Sequence, residues 1–115
     1  MKKYDLEERT FNFAFNIRAF VKRLPRSLAN NEDIRQLVRS SGSVGANYLE
    51  ANESISRKDF IFRIKICRKE ATESHYFIKL LDTMQQSGLD EEKKALAKEA
   101  LELTKIFGAI ITKSN

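Results

Sequence analysis

SSGSVGANYLEA, residues 40–51, decides how this chain folds, because it packs serine, glycine and asparagine together where a helix prefers alanine and leucine. As a phosphate-binding loop it fails: Gly42 and Gly45 are present, but no lysine followed by serine or threonine accompanies them and no strand precedes them. As a helix it loses up to ~1 kcal/mol for each interior glycine relative to alanine, a cost that close packing against a neighbour can offset. The apolar register favours the helix. Ile34, Leu37, Ser41, Val44 and Tyr48 recur at steps of three and four straight through the stretch. In that register Ser41, Val44 and Gly45 face the core, while Ser40, Ser43, Asn47 and Glu50 form an adjacent small, polar stripe. The stripe reads either as plain helix packing or as a ligand-binding strip.

Three further runs show helical spacing. Leu6, Phe13, Ile17, Phe20 and Leu24 line one face up to Pro25, which disfavours helical geometry in the residue before it. Asn30-Asn31-Glu32-Asp33 reads as the start of the second helix, and Ser56-Arg57-Lys58-Asp59 as that of the third, with serine as cap. Phe60, Ile64, Cys67, Ala71, Ser74, Ile78 and Leu81 form the third stripe, which Gly88 ends. Leu96, Ala100, Leu103, Phe107 and Ile110 form the fourth. The predicted helices cover about residues 4–24, 31–53, 57–86 and 91–113. Short connections make neighbours antiparallel, so the predicted fold is an all-α, up-down four-helix bundle in a single domain spanning residues 1–115.

Composition narrows the function classes. The 115 residues are 42% hydrophobic and 32% charged, which suits a globular protein. A lone cysteine, an N-terminus without an apolar signal core, and no apolar run of membrane-spanning length point to a cytoplasmic protein with no membrane role. The net charge of +5 is uneven: residues 1–69 hold fifteen basic and eight acidic side chains, residues 70–115 six and eight. The density peaks in Arg57, Lys58, Arg63, Lys65, Arg68 and Lys69, against the single acid Asp59, with Arg18, Lys22, Arg23 and Arg26 in support. Such a helix can track a phosphate backbone and release counterions. A merely solubilising outer face is the competing reading, and Lys69 with Glu73 has the spacing of an ordinary intrahelical pair.

Phe11 and Phe15 on the first helix, and Phe62, Ile66, Tyr76 and Leu80 on the third, lie outside the stripes that the bundle needs. Of these, Phe11, Phe15, Phe62, Ile66 and Leu80 are expected to form a homo-oligomer interface, with a broad core stripe as the alternative. Glu50, Glu70 and Glu73 lack the paired glutamate–histidine sets of di-metal bundles, so no metal or other cofactor is expected. Asn47 and Glu50 are better placed to bond across to the third helix. Cys67 reads as core packing.

Residues 40–81 resemble the 23S rRNA-intervening sequence proteins. The resemblance rests on the serine-rich lead into Ala46-Asn47-Tyr48-Leu49-Glu50, on Arg57-Lys58-Asp59-Phe60, on Lys65-Ile66 through Glu70-Ala71, and on Glu73-Ser74-His75-Tyr76-Phe77. It implies a four-helix bundle assembled into a homopentameric ring, with no established activity. It also implies a structural or polar motif role for Ser43, Asn47, Glu50, Asp59, Phe60, Glu70, Glu73 and Tyr76. A similar fold belongs to the accessory variability determinant of diversity-generating retroelements, a basic pentamer that binds nucleic acid. By that analogy the expected partner is RNA or a ribonucleoprotein, and the expected function is non-enzymatic binding. A protein-interaction scaffold without nucleic acid is the alternative. Arg68 and His75, seven residues apart on one helical face, also resemble the motif of the helical HEPN ribonucleases, which would make them an RNA-cleaving pair.

Overall fold

The computed structural model describes residues 3–114, which form four helices: α1 (Lys3–Val21), α2 (Leu28–Asn52), α3 (Arg57–Leu80) and α4 (Ser87–Ser114). No strand occurs among them. Each helix packs on its neighbours in sequence and α1 closes against α4, with the diagonal pairs kept apart by the core. The extents of 46 × 23 × 19 Å are those of a bundle one long helix in length, so the short connections reverse the chain each time. α2, α3 and α4 pack closely in turn, whereas α1 lies more loosely on α4.

The core is built from the predicted stripes. Phe13, Ile17 and Phe20 of α1 meet Leu37, Val44 and Tyr48 of α2, Ile64, Cys67, Ala71 and Ile78 of α3, and Leu96, Leu103 and Phe107 of α4. The rings of Tyr48 and Phe107 lie 6.0 Å apart across the bundle's interior. In α4 the last core position is Ile111 rather than Ile110, which packs at the edge.

Residues 40–51 are helical throughout, within α2. A Cβ on Gly45 would stand 3.0 Å from Oγ1 of Thr10, a buried residue whose hydroxyl is already held by the carbonyls of Leu6 and Glu7. The helix is thin there because α1 presses against it. At Gly42 the nearest atoms belong only to the flexible tip of Arg18. Ser40 departs from its expected place on the outer polar stripe. It is fully buried, and its hydroxyl meets that of Ser74 on α3 at 2.9 Å.

The boundaries depart from the sequence reading at the end of the bundle where α1 joins α2 and α3 joins α4. α1 stops at Val21 rather than residue 24. Ser27, not Asn30 or Asn31, caps α2, accepting from the Asn30 amide at 3.0 Å. Asn30 is buried instead: its side-chain amide donates to the carbonyls of Pro25 and Asp82 at 2.9 and 2.8 Å and accepts from the Asp82 N–H at 2.9 Å. That clamp draws the chain out of α3 after Leu80, six residues before the expected end at 86. The reversal is made by Met84 and Gln85 in the left-handed region (φ 53° and 61°), so Gly88 does not end α3 and lies in the first turn of α4. Ser56 caps α3 as expected, accepting from the Asp59 N–H at 3.0 Å.

Candidate nucleic-acid interface

At about 100° per residue, Arg57, Lys58, Lys65, Arg68 and Lys69 fall within an arc of roughly 120° on the outside of α3, and all five are exposed. Arg63 points the other way. Its guanidinium donates to Oδ1 of Asn47 on α2 at 3.2 Å, and it lies 5.9 Å from the centre of the Phe62 ring. Arg57 reaches the Ser114 carbonyl at the C-terminal end of α4 at 3.3 Å, where a cation is favoured by the helix dipole. Among the described residues, Lys58, Lys65, Arg68 and Lys69 pair with no carboxylate. Lys79, which the sequence reading passed over, continues the same outer arc; extending the helical register ten residues past Lys69 finds it.

Of the cations in α1 and just after it, Arg18 and Arg23 are less available. Arg18 is exposed, but its guanidinium donates to the carbonyls of Ala14 at 3.1 Å and Val38 at 3.3 Å. Arg23 is ion-paired with Glu92 of α4, and Lys22 stands exposed beside it in sequence. Other arginines staple helices: Arg9 of α1 forks onto Glu99 and Glu102 of α4 at 2.7 to 2.9 Å, which raises its already high pKa further.

The glutamates of the motif region are engaged in the same way. Arg39 of α2 donates to Glu70 at 3.2 Å and Glu73 at 2.8 Å, so the expected Lys69–Glu73 pair is replaced by a link between helices. No group of His, Cys, Asp or Glu among the described residues is arranged to hold a metal. Asn47 does bond across to α3, through Arg63, and also donates to the Ser43 carbonyl at 2.9 Å. Glu50 does not: its side chain is exposed, and its backbone carbonyl accepts from Ser54. Asp59 and Phe60 are half-buried at the start of α3, with Phe60 against the core. Cys67 is wholly buried, and desolvation pushes its thiol up to about 12, leaving no nucleophile at neutral pH. Arg68 is exposed with its stem beside Gly108, and His75 is half-buried about 10 Å further along the helix.

The surplus apolar residues split into two patches. Phe11 and Phe15 stack at 6.2 Å on α1, and Phe11 and Leu49 line a groove of about 420 Å³ between α1 and α2, floored by Gly42, Gly45 and Ala46 and rimmed by Glu7 and Glu8. Phe62, Tyr76 and Leu80 are exposed on α3 among its lysines, and Ile66 lies at that edge. No helix among the described residues is long and apolar enough to cross a membrane.

The family model described as 23S rRNA-intervening sequence protein matches residues 2–109. A solved structure, described as a protein with unknown function from the S23 ribosomal protein family of Bacteroides thetaiotaomicron VPI-5482, is 30% identical over 97% of this chain and 99% of its own, with a TM-score of 0.78. No curated protein matches.

Proposed function

The chain belongs to the 23S rRNA-intervening sequence protein family, and from that premise we propose that it is a non-enzymatic module that binds RNA or a ribonucleoprotein through the outer face of α3. The observation that carries the reading is the clustering of uncompensated cations on one helix face. Arg9, Arg23, Arg35 and Arg39 are each tied to acids, whereas Lys58, Lys65, Arg68 and Lys69 stand together without a carboxylate partner among the described residues. Clustered uncompensated cations attract a polyanion and release its counterions. Binding of this kind needs no catalytic group.

Self-association belongs to the same proposal. The Phe11–Phe15 patch beside the α1–α2 groove is apolar with an acidic rim, suited to a protein surface and not to phosphate. In a closed ring, the arrangement that the family resemblance implies, each copy would repeat the α3 face and raise avidity without a new contact. Reversing Lys58, Lys65 and Lys69 to glutamate, all exposed, is expected to abolish RNA retention while circular dichroism and Tm stay unchanged. Unchanged retention would remove this face and leave a scaffold acting through proteins alone.

A further inference from the structure

The outer arc of α3 is not only cationic. Along the helix it reads Lys58, Phe62, Lys65, Lys69, Tyr76, Lys79, with Phe62 56% and Tyr76 60% exposed. Fourteen residues separate the two rings, so they lie about 21 Å apart along the axis and within roughly 40° of each other around it. Phe62 has lysines four residues before and three after; Tyr76 has Lys69 two turns before and Lys79 three residues after. The acid nearest the arc, Glu73, is held by Arg39. The rings are supported and do not dangle: Arg63 lies 5.9 Å from the centre of the Phe62 ring, and Phe77 meets Tyr76 edge-on at 5.3 Å.

A face meant only for duplex RNA needs charges and hydroxyl donors; exposed rings there would meet phosphate and sugar at a hydration cost. Unpaired nucleotides present π-faces, and proteins that take single strands alternate cations for the backbone with aromatic platforms for the bases. A solvated protein partner would accept the apolar area of the rings but has no use for the run of unneutralised lysines between them. We infer that α3 recognises unpaired RNA, with bases stacked on Phe62 and Tyr76 and the interleaved lysines on the phosphates between. This rests on the reading of α3 as a nucleic-acid face and adds the kind of RNA that it takes.

The chain contains no tryptophan, so Phe62→Trp installs a single indole reporter that retains a stacking ring. A labelled RNA of about 16 nucleotides, long enough for either mode, is titrated at low salt as a single strand and as a duplex with its complement. The expected result is tighter binding of the single strand, with the fluorescence of the introduced indole quenched by the strand and not by the duplex. In a second variant, Phe62→Leu with Tyr76→Leu, apolar area is kept and stacking lost; single-strand affinity is expected to fall at least about tenfold and duplex affinity to hold. Equal binding of both RNAs with no quenching, or a leucine variant that binds as the parent does, overturns the stacking inference and leaves the cationic face standing. No binding of either RNA overturns both.

Discussion

At the scale of single residues, the two glycines of α2 make opposite predictions. Gly45→Ala gains up to ~1 kcal/mol of helix propensity but forces a Cβ onto Thr10, whose side chain is buried and doubly bonded and has no room to yield. A net loss of about 1 kcal/mol and a lower Tm are expected in thermal unfolding. Gly42→Ala meets only the guanidinium tip of Arg18 and is expected to be neutral or to raise Tm. An equal response at both positions would show that α1 does not press on α2 at Gly45. Cys67 gives a pH test. Burial pushes its thiol from 9.0 up to about 12, so above pH 9 the unfolded chain ionises it while the folded chain does not. Its contribution to stability is complete below pH 9 and falls as pH rises toward 12. Native protein at neutral pH should leave an aromatic disulfide reagent untouched until denaturant is added; prompt reaction would contradict the buried site.

At the scale of elements, the stripes were legible in the sequence and the ends were not. Period-3.6 spacing is local, so Leu6 through Leu24, Ile34 through Tyr48 and Ile64 through Leu81 supply the core as their spacing predicts. The stop of α3 is not local: Asn30, fifty-two residues away from Asp82, sets it through paired hydrogen bonds. Nothing near residue 80 announces that. Ser40 departs from its expected face for a related reason, since α2 is flanked by both α1 and α3 and buries a wider arc than one stripe suggests. The basic residues are visible as a cluster, but which of them stay free depends on Asn47, Glu92 and Ser114, distant in sequence and opposite in space. Asn30→Ala leaves backbone groups of both connections unpaired and is expected to cost about 2 kcal/mol in denaturant unfolding. A loss under about 0.5 kcal/mol would mean that water replaces the clamp.

At the scale of the whole molecule, an acidic-rimmed apolar groove lies between α1 and α2 and an uncompensated cationic arc on α3. The first predicts a mass several times that of one chain in sedimentation at micromolar concentration, and a single-chain mass for Phe11→Glu with Phe15→Glu. A single-chain mass for the parent protein would take self-association out of the account. Whether α3 holds RNA by its phosphates is read from a salt titration of affinity for a 23S rRNA fragment. Four exposed α3 cations that pair with no carboxylate among the described residues, Lys58, Lys65, Arg68 and Lys69, predict a log–log slope of about −3 per copy on unpaired RNA, reduced by about 2 in Lys58→Glu, Lys65→Glu, Lys69→Glu if any binding persists. Affinity that does not change with salt, or no binding at low salt, would contradict phosphate contact by α3.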